Sequence, residues 1–189
     1  MIPRAMRIKR RVVTLPSLVI KESTISGGGL GVFTAVPLKK GDIVTEYGGE
    51  PLSYAEALAL RKKKEDTHVI CVEYSQSSLD GRVETEELYR KRFPNKAWRC
   101  PYTLDYYADE HLVGSLLNDP YGSANSANVK HVVIFDERFP VSPNRAPSLN
   151  KVFVVATRDI DAGEELFLNY GEHYHELHFR GESTNEVVP

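Results

Sequence analysis

The stretch GEELFLNYGEHY, residues 163–174, opens as an ordinary turn into a buried strand: Gly163, two glutamates, then Leu166 and Phe167. It then sets Asn169 and Tyr170 directly before Gly171, with His173 and Tyr174 following at once. A strand that ends in a phenol beside a backbone turn fits core packing. It equally fits the rim of a reaction site. Residues elsewhere in the chain decide between the two.

The chain has 189 residues, a length that suits one domain, or one domain with an embellishment. With 41% hydrophobic and 26% charged residues it has the composition of a globular protein with a core of its own. A formal net charge of −2 argues against a whole-surface nucleic-acid binder. Cys71 and Cys100 alone cannot complete a structural zinc site, and free thiols in a reducing compartment fit them better than a disulfide scaffold. No apolar run approaches the ~20 residues that span a bilayer, so no membrane partner is expected. The leader MIPRAMRIKRRVV lacks the long apolar stretch and the cleavage pattern of a signal peptide. Its basic cluster Arg4, Arg7, Lys9, Arg10 and Arg11 reads as a nuclear address, a nucleic-acid contact or a solvated leader.

Short runs rich in valine and isoleucine, bounded by Gly, Pro or Asp, read as strands: Leu18–Ile20, Val32–Thr34, Ile43–Tyr47, Val69–Tyr74, Val129–Phe135, Val152–Ala156 and Leu166–Leu168. Ser53-Tyr54-Ala55-Glu56 is a capping box that opens a helix running to about Lys64. A second helix is expected over Glu84–Arg92, stopped by Pro94. Many short strands with few helices predict a mainly β fold of small packed sheets. Residues 136–150, with three prolines, read as a loop, and the tail after Tyr174 reads as disordered.

Four features bear on chemistry. SGGGLGVFTA, residues 26–35, places glycines where backbone can approach a ligand, but it matches neither G-x-G-x-x-G nor a P-loop, and alone it is a hairpin turn. GSLLNDP, residues 114–120, ends an apolar run on the Asn118 amide, although Asn-Asp-Pro alone is a turn signal. Tyr170 has no adjacent base or ligand set, so it is not a nucleophile. His173, His175 and His178 lie close together without a carboxylate or cysteine set to complete a metal site, and no metal is expected. The pairs Glu164-Glu165 and Glu86-Glu87 sit at element ends and read as solvated.

Together, in this order, these segments resemble the SET-domain family of protein lysine methyltransferases. SGGGLGVFTAVPLKKGDIVTEYGGE is similar to the family's opening motif. GSLLNDP with Asn128-Val129 is similar in part to its Asn-His-Ser-Cys-x-Pro-Asn stretch. VFVVATRDIDAGEELFLNYG is similar to its closing A-x-R-D-I-x-x-G-E-E-L-x-x-D-Y-G. Asp119 and Pro120 depart from the usual His and Ser, Asn169 replaces Asp, and residues 119–127 lengthen the link to Asn128. The stretch before Gly114 aligns through Leu79-Asp80-Gly81 or through Leu104-Asp105-Tyr106. We prefer the first, which leaves 82–108 as an insertion in a domain spanning 17–176, between a basic leader (1–16) and a tail (177–189).

The resemblance implies small, mostly antiparallel sheets with a few short helices, closed by a C-terminal pseudo-knot. It implies S-adenosylmethionine as cofactor and a protein lysine as substrate, a histone tail being the default, in the nucleus or the cytoplasm. Tyr170 and Tyr47 would line the channel for the amine. Gly28, Gly29 and Leu30 would contact the cofactor through backbone, Asn118 through its side chain, and Asp119 mainly through backbone. Tyr174 and His175 are assigned to the adenine by position, and Asn128-Val129 to support of the pseudo-knot. Two other readings stay open: a SET-like peptide-binding module with weak or no activity, and a nucleic-acid-associated protein that uses the basic N-terminus.

Overall fold

A computed structural model describes residues 16–72, 77–82, 86–95, 112–134 and 151–178. The chain opens with an antiparallel hairpin of β1 (Leu18–Glu22) and β2 (Leu30–Thr34), in which Leu18 faces Thr34 and Glu22 faces Leu30. From Val32 to Thr34 every residue of β2 is buried, because its free edge is also occupied. Thr34 N donates to Glu164 O, and Leu166 N donates to Val32 O. The GEEL segment of 163–166 is thus laid against β2, which buries Leu166.

A second sheet has the order β3 (Ile43–Glu46), β8 (Lys151–Ala156), β7 (Val129–Ile134), all antiparallel. Along the central β8, Val152, Val154 and Ala156 are buried and the residues between them are half-buried, the period-two signature of a strand with one core face. A third antiparallel sheet has the order β4 (Glu50–Ser53), β6 (Ser77–Asp80), β5 (Val69–Val72). Pro51 is tolerated in β4 because that strand lies at the edge.

α1 (Tyr54–Lys62) starts at the expected capping box: Ser53 Oγ accepts from Glu56 N, and the Glu56 carboxylate accepts from Ser53 N. It ends slightly before the expected limit because Lys63 caps it and Lys64 takes a left-handed φ of 57°. α2 (Glu86–Arg92) stops before Pro94, and its half-buried Arg92 pairs with the fully buried Asp80 carboxylate of β6. α3 (Glu172–His178) follows Gly171, which turns the chain at φ 94°.

Residues 165–168 run between the two limbs of the loop that links Asn118 to Val129. On one limb Leu168 N donates to Asn118 O at 2.9 Å. On the other, Asn128 N and Val129 N both donate to Phe167 O. The buried Asn128 side chain completes the clamp: its Nδ2 donates to Glu165 O and its Oδ1 accepts from Phe167 N, both at 2.8 Å. This is the pseudo-knot, and Asn128 and Val129 have the supporting role expected of them. The core gathers on the same segment, where Leu166 and Leu168 pack with Val32, Val44, Leu117, Val129 and Val154.

The structure departs from the sequence reading in four places. β4 and β6 were not expected, because EPLS and SSLD carry few strand-forming residues and become strands through pairing with each other. Residues 166–168 pair by isolated bridges on both sides instead of forming a ladder. The chain after Tyr174 continues as helix to His178. Glu165 is buried, not solvated. Cys100, the basic N-terminal cluster, the 136–150 loop, Leu104-Asp105-Tyr106 and the tail after His178 lie outside the described residues. Among the described residues no helix is long and apolar enough to cross a membrane.

Candidate active site

Tyr170 emerges from the clamped segment just before the Gly171 turn. Its N–H donates to Asp119 Oδ2 and its hydroxyl donates to the Leu117 carbonyl, each at 2.6 Å. Burial, reinforced by Tyr174 and Asp119, pushes the phenol well above its usual pKa. It is therefore a neutral donor at any ordinary pH. Tyr174, one turn into α3, meets its ring edge-on at 4.9 Å.

Tyr47 follows β3, its N–H bound to Val152 O at 2.7 Å. Its hydroxyl donates to His68 O at 2.7 Å, and its ring stands edge-on to His131 at 5.5 Å. Tyr47, Tyr170 and Tyr174 line one cavity of about 220 Å³, together with Ser115, Leu117 and His131. The Asp66–His68 turn and His173 and His178 of α3 also line it. His178 Nε2 lies 3.6 Å from Asp66 Oδ1, which brings α3 against that turn.

Among the described residues, Ser115 Oγ and His131 Nε2 are buried and have no hydrogen-bond partner. Burial holds the His131 imidazole neutral, with its pKa lowered to about 4. Two unsatisfied polar atoms on one cavity wall are costly in a folded protein, and a polar ligand group would satisfy them. The sequence reading missed both residues. For His131 there was a signal: alternation along β7 puts it on the same face as Val129 and Val133, an odd place for an imidazole.

The glycine turn lies beyond Leu117. Asn118 Nδ2 donates to Leu30 O at 2.9 Å, which brings Asn118 against the Gly28–Leu30 turn. Gly29 has φ 64°, and nothing lies within 4 Å of where a side chain would begin, so its backbone is open to approach. Glu165 anchors the turn from beneath. It is 5% exposed and accepts from Ser23 Oγ (2.7 Å), Thr24 N (2.7 Å), Thr24 Oγ1 (2.6 Å) and Asn118 Nδ2 (3.3 Å). Burial raises the carboxyl, but these donors outweigh it and hold its pKa below the usual range. The solvated reading of Glu165 is thereby corrected, because the segment is enclosed on both sides. Glu164 does face outward, paired with Arg158 at 2.7 Å.

Asp119 turns its carboxylate inward. Besides Tyr170 N it accepts from Tyr121 N at 2.9 Å and from His175 Nε2 at 2.7 Å. His175 is buried, and Tyr121 stacks on it at 4.0 Å. The residues named from sequence thus form three adjoining groups. Tyr47, Tyr170 and Tyr174 share the cavity; Gly28, Gly29, Leu30 and Asn118 form the glycine-turn group; Asp119 and His175 form a pair behind them. The glycine turn does not line the cavity, and the Leu117–Asn118 peptide joins the two. Among the described residues no cluster of His, Cys, Asp or Glu is arranged to hold a metal.

The family model described as the SET domain matches residues 29–171. The chain belongs to the SET-domain family. Among curated relatives, the SET domain here is 28% identical over 166 residues to N-lysine methyltransferase KMT5A of Xenopus tropicalis, covering 88% of this chain and 40% of that protein. It is 24% identical over 161 residues to histone-lysine N-methyltransferase EZH2 of Chaetomium thermophilum, covering 85% of this chain and 8% of that one. The chain therefore spans less than half the length of these relatives. Among solved structures it superposes on an autoinhibited ctPRC2 bound to S-adenosylmethionine with TM-score 0.53 and 18% identity, covering 84% of this chain and 16% of that one. An active polycomb repressive complex 2 in the basal state gives TM-score 0.53 and 21% identity over the same shares. These superpositions show that the fold is shared.

Proposed function

We propose that this SET domain transfers a methyl group from S-adenosylmethionine to the side-chain amine of a lysine in a protein substrate. The observation that carries the proposal is the meeting of Tyr47 and Tyr170 in one cavity whose Leu117 wall continues directly into the Asn118–Leu30 contact. The cavity receives the lysine, and the glycine turn with Asn118 receives the cofactor. The open space above Gly29 and the amide of Asn118 fit the amino-acid end of that cofactor. When bound, S-adenosylmethionine supplies an electrophilic methyl group on a sulfonium.

The chain's own residues do the rest. A lysine attacks only as the neutral amine, rare in water at its usual pKa of ~10.4. Aromatic walls from Tyr47, Tyr170 and Tyr174 exclude water and disfavour the ammonium. Tyr170 presents a neutral hydroxyl beside the Leu117 carbonyl, where it orients the amine instead of attacking anything itself. Asp119 and His175 hold the chain that carries Tyr170. The adenine assignment for Tyr174 and His175 is set aside, since Tyr174 faces the cavity and His175 is buried against Asp119.

Histone tails are the first substrate class to try, because relatives carry the names N-lysine and histone-lysine methyltransferase. A histone substrate would place the protein in the nucleus. The test is incubation of the purified chain with labelled S-adenosylmethionine and core histones or whole-cell protein. Label in lysine of a protein substrate, with cofactor-raised melting, is the expected result. Raised melting without transfer to any substrate would favour a SET-like peptide-binding module. Neither effect would overturn both readings.

A further inference from the structure

Asp119 is a departure from the family pattern, and the structure gives its carboxylate a defined task. Oδ2 accepts from Tyr170 N at 2.6 Å and from His175 Nε2 at 2.7 Å. The side chains of His175 and Asp119 are 11% and 5% exposed, so little water competes for either. A carboxylate only accepts, which places the proton on His175 Nε2. His175 N in turn donates to Gly171 O at 3.1 Å and closes the first turn of α3. Residues 170–175 are therefore tied at both ends to one carboxylate, through the backbone at Tyr170 and the imidazole at His175. Tyr121, on the same loop as Asp119, stacks on that imidazole at 4.0 Å and an interplanar angle of 26°. The loop grips α3 with a charge and a ring, and the Tyr170 backbone is fixed by the same grip.

We infer that His175 is a positioning residue for Tyr170, acting through Asp119; the inference rests on the methyl-transfer reading above. The imidazole touches neither the cavity nor the glycine turn. It restrains Asp119 Oδ2, and that oxygen fixes the peptide from which the Tyr170 phenol reaches Leu117 O at 2.6 Å. Misplacement of a reacting group by about 1 Å costs on the order of 10²-fold in rate, so loosening this restraint shows in turnover before it shows in binding.

The test compares wild type with His175→Phe and His175→Gln. Phenylalanine keeps the volume and the stack on Tyr121 but cannot donate; glutamine keeps an N–H where Nε2 stands. The readouts are kcat and KM on a methylated protein substrate, cofactor Kd by calorimetry, and hydrogen exchange of the Tyr170 amide by NMR. H175F is expected to lower kcat by roughly 30-fold or more, with KM and cofactor Kd within about threefold, and to speed Tyr170 amide exchange about tenfold or more; H175Q is expected to restore both. Unchanged kcat in H175F, or a fall in kcat matched by lost cofactor affinity, overturns the inference. If wild type transfers no methyl, the functional reading fails by itself and exchange decides the positioning. Faster exchange in H175F but not in H175Q then supports it, and equal rates in all three overturn it.

Discussion

The Tyr170 hydroxyl lies 2.6 Å from the carbonyl oxygen of Leu117, one residue before the Asn118 amide that reaches Leu30 O. One peptide thus forms the wall between the tyrosine-lined cavity and the glycine turn.

Removing that hydroxyl tests the wall directly. Tyr170→Phe is expected to lower kcat by about 10²-fold, on the scale of a misplaced reacting group. Stability should fall by only about 1 kcal/mol, the usual worth of one hydrogen bond. Methyl-transfer kinetics and a thermal melt check both numbers, and wild-type turnover would remove Tyr170 from the mechanism. Because the buried phenol ionises later than a free one, folding stability should hold to about pH 10 and fall above it, where only the unfolded chain has lost the proton.

His131 predicts a stability change at the acidic end. Its folded pKa of about 4 lies below the ordinary 6.5, so the unfolded chain binds the proton first as pH falls. The stabilisation is fully present above pH 6.5 and is lost progressively down to about pH 4. Urea midpoints across that window should decline, by up to about 1.4 kcal/mol per pH unit from this residue. His131→Phe should flatten the decline; an unchanged slope would show that other groups dominate it.

Gly31 faces Glu165 so closely that a methyl group there would lie 2.1 Å from the carboxylate oxygen. Gly31→Ala must displace Glu165 and with it the donors from Ser23, Thr24 and Asn118. A loss of roughly 2–4 kcal/mol is expected from overpacking and stranded hydrogen bonds together. Cofactor-dependent melting shifts should shrink beyond what the lower baseline explains. Retention of the full shift would separate the turn from cofactor binding.

Asn128 makes two buried hydrogen bonds across the clamp, donating to Glu165 O and accepting from Phe167 N. Asn128→Ala strands both backbone groups and should cost about 2–5 kcal/mol. Asn128→Asp is the sharper comparison. It keeps the acceptor for Phe167 N but turns an oxygen toward Glu165 O, so it should be no better than alanine in chemical denaturation.

The strands and helix that were legible in the sequence carry their own local signals. Val152–Ala156 is a short run rich in valine, and Ser53 with Glu56 spells a helix start. Distance in sequence hid the rest. Glu164 and Glu165 are adjacent and chemically identical, yet one faces water and the other anchors the glycine turn; nothing local separates them, because 165–168 is enclosed on both sides and shows no period. Asp119 read as a defect in a family pattern until its partner His175 was seen across the loop. Asn118, Leu30, Tyr47 and Tyr170 were singled out through their order along the chain, a pattern of the whole domain, and the sequence did not separate the cavity from the glycine turn.

Ser23 and Glu165 hold each other across a sequence separation of 142 residues, and the segment bearing Glu165 must be seated between the limbs of a loop made well before it. During synthesis the first hairpin leaves the ribosome long before its anchor exists. The loop from Asn118 to Val129 likewise has nothing to enclose until residues 165–168 arrive. Closure of so long a chain segment is slow compared with helix or hairpin formation. The nascent protein therefore waits with a valine-rich sheet incompletely covered, an interval in which chaperone supply, more than intrinsic stability, would govern the yield of native molecules.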